Sequence, residues 1–238
     1  GSTPKLTIGN ATAEDATILF DGNAQDFYIA LDDSADDLLI GLGSTVGTTP
    51  IIAIDENKLS TFSGAITVGV DDTGHDVKFF GASAGAYMEW DESADQLRIM
   101  GASADATTST GKLLLATSLT DINANDVIGK IDFQAPHEAG GTDAITVAAS
   151  IRAIAQATFT SSVNATDLIF YTGHSEAAAE KVRFTSQNEI GIAGANYGTD
   201  GQVLTSAGAG AAVAWEDAAG FDVSSITGAT ALTVSPAK

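Results

Sequence analysis

The chain has 238 residues, enough for one or two ordinary domains, and 31 acidic against 10 basic residues give it a net charge of −21. A surface this negative repels phosphate backbones and anionic lipid, which argues against nucleic acid and membrane-surface partners. There is no cysteine, so disulfides, thiolate metal sites and cysteine nucleophiles are excluded, and no run of about 18 apolar residues offers a membrane span.

Gly1–Ser2 reads as a cloning scar, and the residues after it lack the charged and apolar regions of a signal peptide. The 44% apolar content is mostly Ala, Ile, Val and Leu, aromatics are only 7%, and no leucine heptads are present. This composition predicts thin, repetitive β-structure rather than a coiled coil or a thick globular core.

The first elements belong to an internal repeat. Ile18–Ile40 (ILFDGNAQDFYIALDDSADDLLI) aligns with Val77–Ile99 (VKFFGASAGAYMEWDESADQLRI) at a constant offset of 59, without a gap over 23 positions. Phe20 meets Phe79, Gly22 meets Gly81, and Tyr28 meets Tyr87. Each copy predicts a three-stranded meander, with strands at Thr17–Phe20, Phe27–Leu31 and Leu38–Ile40, and at Asp76–Phe80, Tyr87–Trp90 and Leu97–Met100. The same backbone course is expected in both. A D-[DE]-S-A-D turn joins the last two strands of each copy, because Asp and Ser side chains bond to nearby backbone groups.

Between the copies, Thr49–Asp55 and Gly64–Val70 are β-branched and read as strands. Thr108–Leu119 is a short apolar stretch of no assigned type. Asp126–Ala135 alternates, with Val127, Ile131 and Phe133 on one face and Lys130, Asp132 and Gln134 on the other. Ile145–Thr160 alternates as well, with Val147, Ala149, Ile151, Ala153 and Phe159 on one side. Asp167–Thr172 and Glu180–Ser186 are two more strands. Ser175–Lys181 is helix-prone but too short for a stable helix, and reads as the loop before the second of them. Gly201–Asp217 predicts a hairpin with its turn near Ala207–Ala211, and Ala231–Val234 a final short strand.

Chemistry is sparse. Asp32 and Asp36, with their counterparts Asp91 and Asp95, are carboxylates spaced closely enough to be calcium ligands. They lack the glycine and terminal glutamate of an EF-hand loop, and solvated turns are the competing reading. His75, His137 and His174 share no metal-ligand spacing. No H-E-x-x-H, G-x-S-x-G or phosphate loop is present. Tyr28, Tyr87 and Trp90 lie on the second strand of each repeat copy, where an exposed ring could stack on a glycan and a buried one would fill a core or an interface. No catalytic residue and no cofactor is expected. Two sequons, at Asn10 and Asn164, match by spacing alone.

Several segments resemble modules that recur in tail-fibre and appendage proteins of tailed phages, particularly those of marine viruses. Gly64–Leu97 resembles one module. Ile128–Gly194 (IGKIDFQAP…ASIRAIA…DLIFYT…EKVRFTSQNEIGIAG) resembles a second, and Tyr197–Trp215 (YGTDGQVLTSAGAGAAVAW) a third. The resemblance implies a structural segment of a trimeric tail fibre or appendage, carried on the virion and active in host attachment. Its partners would be two further copies, other virion tail proteins and a host cell-surface glycan or protein. A receptor-binding tip and a C-terminal self-cleaving chaperone are not recognisable, as in a shaft fragment or a matured product. The alternatives are a head fibre or decoration protein, a cell-surface filament and, from any two carboxylates that meet in the fold, a polysaccharide-degrading enzyme.

The expected architecture is therefore all-β: an elongated homotrimeric fibre of short antiparallel β-meanders, triangular and prism-like, with little or no helix. Its expected modules are residues 3–63, 64–112, 113–194 and 195–238. Strands of four to six residues span only about 13–20 Å. Three copies turning their apolar faces to one axis would cover what a single narrow layer leaves wet, with Ala82, Ala84, Ala149 and Ala153 suited to a tight axis.

Overall fold

Alternating short β-type runs separated by Gly, Asp and Asn turns fold as antiparallel meanders, and helix is limited to one 3-10 turn at Glu92–Ala94 among the residues described, 3–218 of a computed structural model. The expected strand Ala231–Val234 lies outside the described residues. The chain divides into two units, Gly1–Lys112 and Leu113–Lys238.

In the first unit, β1 (Ala16–Phe20), β2 (Phe27–Asp32), β3 (Asp37–Leu42), β4 (Pro50–Ile54) and β5 (Ser60–Phe62) form a five-stranded sheet in chain order. A second sheet of the same unit holds β6 (Val77–Phe80), β7 (Tyr87–Asp91) and β8 (Gln96–Met100). In the second unit, β9 (Val127–Gln134), β10 (Val147–Ala155), β11 (Thr166–Thr172), β12 (Ala179–Phe184) and β13 (Ile190–Ile192) form another five-stranded meander. A hairpin of β14 (Gln202–Thr205) and β15 (Ala214–Asp217) follows. Trp215 ties it to the chain before it: the indole Nε1 donates to the Asn196 carbonyl at 3.1 Å, and the ring covers Gly198, whose φ of +72° suits glycine.

The two repeat copies share the meander but not all of its register. Their second hairpins agree, with Leu31 facing Leu38 and Trp90 facing Leu97. Their acidic turns agree too, since Asp36 and Asp95 both adopt positive φ, at 57° and 48°. The first hairpins differ. Ile18 faces Ile29, yet its aligned counterpart Val77 faces Trp90, the counterpart of Leu31. The first strand has slid by two residues. Asp15 Oδ1 accepts from the Asp33 amide at 3.0 Å, and Asp76 Oδ1 accepts from the Glu92 amide at 2.9 Å, so Asp76 takes the place of Asp15 and not of Thr17. The connecting turn of the second copy is tighter, closed by the Gly81 amide donating to the Ala86 carbonyl at 2.8 Å. The gapless pairing of Phe20 with Phe79 and of Gly22 with Gly81 is thereby corrected. A slide of two leaves every side chain on its original face, so hydrophobic alternation carries no trace of it.

Other expectations are corrected as well. Gly64–Val70 forms no strand; its β-character is limited to a bridge between Val70 and Thr73. The strand expected at Ile145–Thr160 is Val147–Ala155, and Phe159 lies beyond it. Ala82 and Ala84 sit in the turn between β6 and β7, whereas Ala149 and Ala153 are strand residues. Strands β5 and β13, three residues each, escaped a pattern search that needs at least four.

Full burial is scarce. Among the described residues the buried hydrophobics are Tyr28, Ala30, Leu39, Ala155 and Ile169. Tyr28, Ala30 and Leu39 form one cluster on a face of the first sheet, with Val46 and Ala53 against it. The face is built from small residues around one large ring. A Cβ on Gly41 would lie 2.3 Å from Tyr28 Cζ, so glycine is required where the ring lies across β3.

Candidate interaction faces of the sheets

The antiparallel registers give each sheet of three or more strands one uncharged, largely apolar face. On β9–β13, one face carries Ile131, Phe133, Ala149, Ile151, Ala153, Leu168, Phe170, Val182, Phe184, Ile190 and Ile192, with no charge among them. Phe133 is 53% exposed, and Leu168 and Phe184 are also open to solvent. On β1–β5 the corresponding face holds Ile18, Phe20, Phe27, Ile29, Leu31, Leu38, Ile40, Ile52, Ile54 and Phe62. On β6–β8 it holds Val77, Phe79, Met88, Trp90, Leu97 and Ile99. In β2, Tyr28 and Ala30 are buried on one face while Phe27, Ile29 and Leu31 are exposed on the other.

On β1–β5 the opposite face carries the buried Tyr28, Ala30 and Leu39 cluster; on β6–β8 and β9–β13 the opposite faces are polar and internally paired. Five of the ten basic residues lie on them: Lys78, Arg98, Lys130, Arg152 and Arg183. On β6–β8, Glu89 is nearly buried between Lys78 at 2.6 Å and Arg98 at 3.0 Å, and Arg98 also pairs with Asp91. The Glu89 carboxylate beside Lys78 raises that ammonium's pKa. Lys78 Nζ also stands 4.4 Å from the Tyr87 ring centre. On β9–β13, Arg183 reaches Asp167 at 2.7 Å and Glu180 at 2.6 Å. Arg152 donates to Ser150 Oγ at 3.0 Å and lies 4.3 Å above Tyr171. Ser150 donates in turn to Asp132 at 2.6 Å, and Lys130 pairs with Asp132 at 2.5 Å. These two contacts, Lys130 first, hold the Asp132 carboxyl below the usual carboxylate range. Burial, then the Glu180 charge, pushes Tyr171 up. Ile169 lies in register between Arg152 and Arg183, whose alkyl stems account for its burial.

The residues singled out in the sequence distribute as follows. Tyr28 is fully buried, which removes it as a glycan contact. Tyr87 lies on the polar face beneath Lys78. Trp90, 43% exposed, lies on the apolar face with Met88 and Leu97. The three rings therefore do not form one platform. Asp32 Oδ1 accepts from both the amide and the hydroxyl of Ser34, at 3.1 and 2.7 Å, and Asp91 Oδ1 from the Ser93 hydroxyl at 2.8 Å. The Ser93 contact, ahead of the Arg98 charge, lowers the Asp91 pKa. Asp36 and Asp95 supply the left-handed residue that closes each turn. Among the described residues, no three His, Asp or Glu side chains converge to hold a metal ion. His75, His137 and His174 are exposed loop residues.

The ion-paired ladders were missed by sequence reasoning. Alternation shows that Lys130 and Asp132 share a face, but Glu89 with Lys78, or Arg183 with Asp167, are brought together only by strand register. No protein-family model, curated protein or solved structure matches this chain.

Proposed function

We propose that the chain is a non-catalytic structural segment of a homotrimeric phage tail fibre or appendage that serves host attachment. One observation carries this reading. Every sheet of three or more strands has one uncharged, largely apolar face left open in the single chain, and on β6–β8 and β9–β13 the charges are already paired on the other face. Monomeric soluble proteins rarely leave apolar patches of this extent uncovered. Burying an Ile, Leu or Phe fully is worth about 1.5–3 kcal/mol, so the nine exposed large side chains on the β1–β5 face and the six on the β9–β13 face are a strong drive to associate.

A second copy is the matching partner, because it presents the same uncharged apolar faces and can cover them while its acidic surface stays outside. Three copies rather than two follow from thin faces with few aromatics, which fill a narrow axis better than a wide sandwich, and from the resemblance to trimeric fibres. The acidic surface would remain outside and keep long particles apart in solution.

Light scattering tests the assembly. The expected mass is three times the 24.1 kDa of one chain, with a frictional ratio well above that of a sphere. A monodisperse, compact monomer would refute the fibre. Labelling virions for electron microscopy distinguishes tail from head, and a glycan array with product analysis separates binding from cleavage.

A further inference from the structure

Ahead of β9 runs Leu113–Leu119, LLLATSL, which forms no strand. Among the described residues, no backbone group from Leu113 to Ser118 bonds to another backbone group. One of its leucines is anchored. A Cβ on Gly129 would lie 2.9 Å from Leu115 Cβ, and Gly129 faces Ala153 on the apolar side of β9–β13. Leu115 therefore continues that apolar face over the glycine. Its neighbour Leu114 is 84% exposed and Leu113 is 64% exposed. Leu115, 40% exposed, is partly covered at that contact, whereas Leu114 stays open to solvent.

We propose that Leu114 of each copy inserts against the apolar face of the β9–β13 sheet of a neighbouring copy. The inference rests on the assembly proposed above. The occupant follows from continuity and chemistry. The segment extends the face that the assembly would cover, it leaves Leu114 open, and an identical apolar face is what each neighbour presents. A segment of one copy meeting a face of the next is a heterologous contact, which closes into a ring under threefold rotation.

The absence of cysteine makes the test clean. Leu114→Cys places the sole thiol of the chain in the segment, and Asp200→Cys places it on an exposed turn. Both are treated with a maleimide while light scattering follows the mass. In the assembled protein Cys at 114 should react about 100-fold more slowly than Cys at 200, and should reach the same rate once dilution yields monomer. Equal rates in an assembled particle would overturn the inference while leaving the assembly standing. Protection that persists in the monomer would also overturn it, since the chain would be covering its own leucines. A wild-type protein that never associates would instead remove the assembly on which the inference rests. As a second measurement, Leu114→Glu should weaken association at least about tenfold with an unchanged far-ultraviolet dichroism spectrum, and Leu114→Met should not.

Discussion

Tyr28 shows how little a residue type says about its role before its neighbours are known. Its ring fills the only cluster of three buried residues among those described, and its hydroxyl is buried without a hydrogen-bond partner. Removing that hydroxyl relieves a desolvation cost, so Tyr28→Phe should leave stability unchanged or raise it by up to about 1 kcal/mol in urea unfolding. Gly41→Ala should cost about 1–3 kcal/mol, because the ring or the strand must move. A clear loss on Tyr28→Phe would show that the hydroxyl is satisfied after all. Asp132 provides a pH test. Its folded pKa is lowered, so its contribution is complete above the ordinary unfolded value of about 3.9 and disappears as pH falls through the lower folded value. Wild type should therefore exceed Asp132→Asn in stability at pH 7, and the two unfolding curves should converge as pH falls below the ordinary carboxylate range and through the lower folded value. A gap that is constant across that window would mean that the charge plays no part.

At the scale of elements, the acidic turns matter through capping. Asp15 and Asp76 each accept the first free amide of the turn that follows the second strand of their meander. Asp15→Ala and Asp76→Ala should each cost about 1 kcal/mol, read as a shift in the urea midpoint. A chelator should leave melting unchanged, because the Asp32 and Asp91 oxygens bond to serines of their own turns. A melting point that falls with chelator and returns with calcium would reverse that assignment. The same comparison shows what a repeat does and does not specify. The turn residues, Asp-x-Ser-Ala-Asp, locate the second hairpin of both copies to the residue. The first hairpin has no such signature, and its register moved by two without disturbing either face.

For the whole molecule the decisive property is that each sheet of three or more strands leaves an uncharged, largely apolar face open. Phe133→Glu, on the open apolar face of β9, should lower the particle mass towards that of one chain, and Lys130→Ala, on the polar face of the same strand, should not. Both should keep the dichroism spectrum of the wild type. Dissociation by Lys130→Ala with none by Phe133→Glu would mean that the polar face is the interface. Salt should strengthen association, because it screens the repulsion between chains carrying −21 each and favours apolar burial.

Composition and alternation by themselves determined the all-β class, the meanders and most strand positions, since a two-residue period and Gly, Asp and Asn turns are local properties of the chain. They also determined which residues share a face: Ile131 with Phe133, and Lys130 with Asp132. They could not say which face would be covered. Tyr28 is buried in a cluster with Leu39 of β3 and lies across Gly41, Glu89 is held between two cations, and Ile169 between two arginines, and in each case the partner comes from another strand. Register, like the slide of β6 and the meeting of Arg183 with Asp167, is a relation between strands. Only the tertiary structure decided it, because the energy that selects one register resides in contacts across the sheet.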